Sequence, residues 1–97
     1  MRRLKLSHAA VEDLTDIVHD TAMRWNVAQA RKYESAMDKA FRLLCRFPRA
    51  GHRNNNLTST YRLYNAGSHV IVYRFDQEFV YVVRILHQRM DFSEHVN

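Results

Sequence analysis

Apolar residues recur at steps of three and four through the first half of the chain and at steps of two through the second. Leu4 and Leu6 flank Lys5, an alternation that predicts a short half-buried strand over Arg3 to Ser7. Ser7 suits a helix N-cap, because its hydroxyl can accept from the first free helical N–H groups. Ala10, Leu14, Ile17, Val18, Thr21 and Trp25 then fall on one face of a first helix that stops near Asn26. Glu12 and Asp13 are read as first-turn carboxylates that favour the positive end of the helix dipole. A second helix is predicted from about Val27 to Phe47. Its apolar stripe is Ala30, Tyr33, Met37, Ala40, Phe41, Leu44 and Phe47, with Arg31, Lys32, Lys39, Arg42 and Arg46 opposite. Pro48 and Gly51 end it. So short a link makes the two helices an antiparallel hairpin.

Gly51 to Ser59, with Asn54, Asn55 and Asn56, reads as an exposed polar loop. Three strands are predicted after it, over Thr60–Asn65, Ser68–Phe75 and Phe79–Leu86, joined by the short turns Ala66-Gly67 and Asp76-Gln77-Glu78. The expected class is α+β in βααβββ order, one domain over residues 1–97, with a helical hairpin on one face of a small antiparallel sheet. Parity assigns the faces. Phe79, Tyr81, Val83 and Ile85, wholly apolar, are expected to face the helices, so Arg84 points to the open face. Arg62 and Arg74 are expected beside it, making one arginine-bearing docking surface.

Composition narrows the function classes. The 97 residues carry a formal charge of +5. Met1–Asn26 and Thr58–Asn97 are each balanced, so the surplus lies between Val27 and Leu57. A basic helix of this kind can attract nucleic acid or an acidic protein segment. No recognition motif accompanies it, and the aromatics fit core stripes, so direct DNA binding is not expected. No apolar run approaches the roughly 20 residues that span a membrane, and the basic N-terminus leads into no apolar signal core, so a cytoplasmic location is the default. Cys45 is the one cysteine and is expected to be a buried or half-buried packing residue. The six histidines show no metal-ligand spacing, and neither a phosphate-binding glycine loop nor a nucleophile elbow is present, so no metal or cofactor is expected.

Several blocks, in order, resemble the ParE-like toxins of the ParE/RelE toxin–antitoxin superfamily. They are Leu6-Ser7, Asp13-Leu14, Ile17, Trp25, Gln29-Ala30, Tyr33, Phe47-Pro48 and Gly51, then Gly67 to Arg74, and Val83 to Asp91. The resemblance covers nearly the whole chain and implies the βααβββ fold reached independently above. It also implies a toxin encoded beside a ParD-like antitoxin that wraps it with a helix and an extended segment, with DNA contacted only indirectly, through that antitoxin. Free toxin of this kind acts on DNA gyrase as a protein ligand, not as an enzyme. The resemblance supplies no contact residues. The exit of the last strand, Arg84, His87, Arg89 and Met90, is the expected gyrase-binding region. Trp25, Tyr33 and Met37, with the basic Lys39, Arg42 and Arg46, are the expected antitoxin contacts, an open apolar edge beside charges that would meet an acidic partner.

The alternative within the superfamily is a RelE-like ribosome-dependent mRNA nuclease. That chemistry needs a base for the ribose 2′-hydroxyl, an acid for the leaving group and cations for the phosphate. Arg62, Tyr64, Arg84 and His87 are its candidates, although parity leans His87 towards the helices. His69 is expected to be a structural hydrogen-bonding residue.

Overall fold

A computed structural model describes residues 1–53 and 60–90. The Asn54–Asn56 stretch and Asp91 of the closing block lie outside the described residues. Strand β1 (Arg3–Leu6) leads into α1 (His8–Arg24) and α2 (Val27–Arg46), followed by β2 (Arg62–Ala66), β3 (His69–Phe75) and β4 (Phe79–His87). The element order is the expected one. The strands form one sheet in the order β1-β4-β3-β2. The β2–β3–β4 meander is antiparallel, but β1 pairs with β4 in parallel, so the sheet is mixed. A parallel neighbour requires a crossover connection, and the helical hairpin supplies it.

The caps explain the helix limits. Ser7 Oγ accepts from Ala10 N at 3.0 Å, and Asn26 Oδ1 accepts from Gln29 N at 2.7 Å. Glu12 and Asp13 lie beyond the first turn of α1, so dipole compensation is not their role there. Trp25 and Phe47 are C-cap residues outside the apolar stripes and stay largely exposed.

The main core joins Ala10 of α1 and Met37, Ala40, Phe41, Leu44 and Cys45 of α2 to Ile71, Tyr73, Val80, Val82 and Ile85 of the sheet. Burial pushes the Cys45 thiol pKa up, as for an inert packing residue. A second cluster, Leu63, Val70, Val72 and Leu86, lies on the opposite face of the sheet. Tyr73 is fully buried; its hydroxyl donates to Pro48 O at 2.6 Å and accepts from Gly51 N at 2.9 Å. That bond sets the loop after α2, and a Cβ on Gly51 would fall 2.5 Å from the same hydroxyl.

A β-bulge changes the expected faces of β4. Tyr73 pairs with Val82 and Val72 with Arg84, which leaves Val83 without a partner. The extra residue reverses the alternation. Val80 and Val82, not Phe79, Tyr81 and Val83, therefore face the helices, and Ile85 joins them after the bulge. The bulge sits where β1 ends. Beyond Leu6, Ser7 N donates to Val82 O at 2.9 Å and Ser7 Oγ donates to Val83 O at 2.6 Å. The start of α1 thus replaces β1 along that edge.

Candidate functional site

The bulge and its surroundings decide what each arginine does. Arg84 makes a two-pronged ion pair with Asp13 of α1, Nε to Oδ2 at 2.8 Å and Nη2 to Oδ1 at 2.9 Å. Asp13 Oδ2 also accepts Ile85 N at 2.9 Å. One carboxylate thus neutralises a half-buried guanidinium and satisfies an N–H at the edge that β1 leaves uncovered. The ion pair raises the Arg84 pKa further. Arg62 pairs with Tyr73 in the register and so shares the helix-side face, where its Nη1 donates to Gly51 O at 2.9 Å. Arg74 lies on the other face, over the Tyr81 ring at 4.1 Å. The expected surface of three arginines on one open face is therefore not formed.

The nuclease candidates disperse accordingly. Arg62 serves the loop after α2, Arg84 serves α1, and Tyr64 packs against the main core. His87 stacks edge-on against His69 with ring centroids 5.5 Å apart. His87 does lean to the helix side, and His69 is a hydrogen-bonding residue, both as expected. Tyr33 Oη lies 2.6 Å from His69 Nδ1, 3.2 Å from Ala66 O, and accepts from Ser68 N at 3.1 Å. Its one proton serves Ala66 O or the imidazole, according to the His69 tautomer. Gly67, at φ +62°, makes the turn beneath this ring. Burial raises the Tyr33 pKa and lowers that of His69; His87 lowers the latter further and Asp13 opposes.

At the exit of β4 the chain turns sharply. Met90 N donates to His87 O, Gln88 N to Ser68 O, and Arg89 N to His87 Nδ1 at 3.2 Å. Arg89 and Met90 are exposed on this turn, while Arg84 and His87 are engaged inside the fold. The four expected gyrase contacts divide into two half-buried anchors and two exposed residues.

The expected antitoxin contacts also divide. A groove of about 280 Å³ runs between α2 and β2, lined by Tyr33, Ala36, Met37, Lys39, Ala40 and Leu43 on one side and residues 64–67 on the other. It gathers Tyr33, Met37 and Lys39, with Met37 only 2% exposed as its floor. Trp25, 75% exposed at the tip of the hairpin, stands apart. Arg42 pairs with Asp38 one turn away, and Arg46 lies in the last turn of α2. The groove wall residues Leu43 and Tyr64 were not among the expected antitoxin contacts, Tyr64 having been read only as a nuclease candidate. Leu43 falls at the i+7 position from Ala36, the signal that marks it for the same face. Among the described residues no group of three or more metal-ligating side chains comes together.

Residues 4–92 match the family model described as "ParE toxin of type II toxin-antitoxin system, parDE". The chain belongs to the ParE toxin family. It is 34% identical over 96 residues to Toxin ParE1 of Caulobacter vibrioides, covering 99% of each chain. It is 40% identical over 90 residues to Toxin ParE1 of Mycobacterium tuberculosis, covering 92% of each. The fold of this ParE-family toxin resembles the solved structure titled "Chromosomal ParDE TA system from P. aeruginosa". The TM-score is 0.76 at 17% identity, over 90% of this chain and 96% of that one. No described helix is long and apolar enough to cross a membrane.

Proposed function

We propose that this ParE-family toxin inhibits DNA gyrase as a protein ligand and is neutralised by a ParD-like antitoxin seated in the α2–β2 groove. The groove is the observation that carries the antitoxin half. β2 is an edge strand, paired with β3 and, at Leu63, with His52. Its outer edge from Tyr64 to Ala66 runs beside the apolar Ala36, Ala40 and Leu43. An exposed strand edge next to an apolar helix face suits both a helix laid in the groove and a segment added to the sheet. Lys39 on the lining, with Arg42 and Arg46 near by on α2, would speed association with an acidic partner. The gyrase half is supported by family membership and by the dispersal of the four nuclease candidates, which leaves no shared centre for acid–base chemistry. Arg89 and Met90, exposed on the β4 exit turn, are the proposed gyrase contacts, with Arg84 and His87 holding the turn in place.

The test is a gyrase supercoiling assay beside a ribosome-dependent mRNA cleavage assay, both with the purified chain. Inhibition of supercoiling without cleavage is expected. Cleavage without inhibition would replace this reading with the nuclease.

A further inference from the structure

Six basic residues distant in sequence converge at the sheet end where β1 and β4 begin. The guanidinium carbons of Arg2, Arg49 and Arg62 lie 5.3, 5.6 and 5.9 Å from the centroid of one ring, Phe75. A cavity of about 390 Å³ beside the same ring is lined by Arg53, Thr60 and Arg74. Arg74 lies 4.1 Å over Tyr81, and Lys5 lies 4.1 Å over Phe79. Among the described residues none of these six cations forms an ion pair with a carboxylate. Arg2 and Arg62 donate instead to the backbone oxygens of Asp76 and Gly51. The nearby carboxylates are Asp76 and Glu78. Asp76 is already committed: it accepts from Glu78 N, Phe79 N and the Tyr81 hydroxyl, all at 2.8 Å. Three guanidinium groups within 6 Å of one point repel one another, and a bound anion relieves that repulsion.

We propose that this arginine-rich end of the sheet binds the phosphodiester backbone of nucleic acid without regard to base sequence. The chemistry favours a phosphate chain over an acidic peptide. The aromatic faces are already covered by cations, so no apolar socket remains for the side-chain anchors on which peptide binding rests. Guanidinium groups stacked on rings turn their N–H edges outward, where they can fork onto phosphate oxygens. The cations come from the N-terminus, β1, β2, β3 and the loop after α2, and Arg62 and Arg74 stand on opposite faces of the sheet. Such a spread matches a ligand with a charge on every unit rather than one carboxylate.

The experiment measures fluorescence anisotropy of a labelled 20-base-pair duplex titrated with the full chain from 50 to 200 mM NaCl. Neutralising about four phosphates predicts an affinity loss on the order of a hundredfold across that range. R49Q/R74Q removes two exposed cations from the cluster, and R31Q/K32Q removes the same charge from the exposed face of α2. The first pair is expected to weaken binding about tenfold at low salt and to flatten the salt dependence by about two contacts. The second pair is expected to leave both unchanged. Circular dichroism confirms that both variants are folded. Equal weakening by the two pairs, no binding at 50 mM NaCl, or tighter binding to a labelled poly-glutamate of equal charge would each overturn the proposal.

Discussion

Arg84 pairs with Val72, two residues from Arg74 on β3, yet the two strand arginines meet different fates. Near the exit of β4, Arg84 is gripped by Asp13 and its side chain is 24% exposed. Beside it, Tyr33, His69 and His87 form a hydrogen-bonded and stacked row. Towards the start of β4, Arg74 lies exposed over Tyr81 among five further cations, in no side-chain ion pair among the described residues, although its charge helps to lower the Asp76 pKa. The Arg84 neighbourhood spends its polar groups on itself and so fixes the shape of the β4 exit turn. The Arg74 neighbourhood leaves its cations without side-chain ion pairs among the described residues, as the proposed phosphate contact requires. Residue type does not separate the two; the difference lies in which element packs alongside. α1 brings a carboxylate to Arg84, whereas the loop after α2 brings Arg49 and Arg53 to Phe75.

That contrast can be broken most sharply at Asp13. D13A strands a half-buried guanidinium and an edge N–H, so it should destabilise the fold by about 2–3 kcal/mol in urea unfolding. Y33F removes the hydroxyl shared by Ser68, Ala66 and His69 and should cost about 1 kcal/mol in the same measurement.

The histidine row also predicts a pH dependence. Burial holds the folded His69 pKa below its ordinary 6.5, so the unfolded chain binds the proton more readily. His69 therefore favours the fold above pH 6.5, and stability should fall as pH drops from there through the folded pKa. H69Q should flatten the thermal midpoint between pH 7.5 and 5.0; an unchanged slope would remove His69 as the cause. On β3, R74Q should change stability by less than about 0.5 kcal/mol, because an exposed cation without an ion pair leaves nothing stranded.

Local signals made much of the fold legible. Ser7 was readable as a cap, Pro48 and Gly51 as a stop, and the three meander strands from their composition. The pairing of β1 with β4 and the bulge at Val83 were not, because both depend on where a four-residue strand ends against a partner more than seventy residues away. The Asp13–Arg84 pair was hidden for the same reason, so Asp13 was assigned to the helix dipole instead. Of the groove, Tyr33, Met37 and Lys39 were visible at helical spacing; its β2 wall was not. The arginine cluster was invisible to charge counting along the chain, since it draws on residues from 2 to 74. Counting by segment placed the surplus on α2 and its following loop, whereas the fold gathers four of the cluster's six cations from β1, β2, β3 and the N-terminus.

The central claim joins gyrase inhibition to neutralisation at the groove, and one titration tests both. Leu43 lines the groove at the protein surface, so L43E should leave the toxin folded and able to inhibit supercoiling. Purified gyrase is incubated with wild-type toxin or L43E, and the cognate antitoxin is titrated in. The account predicts that both inhibit, and that L43E needs at least about tenfold more antitoxin for rescue, the effect of losing about 1.4 kcal/mol of binding. Supercoiling untouched by either toxin, or equal rescue of both at the same antitoxin concentration, would contradict it.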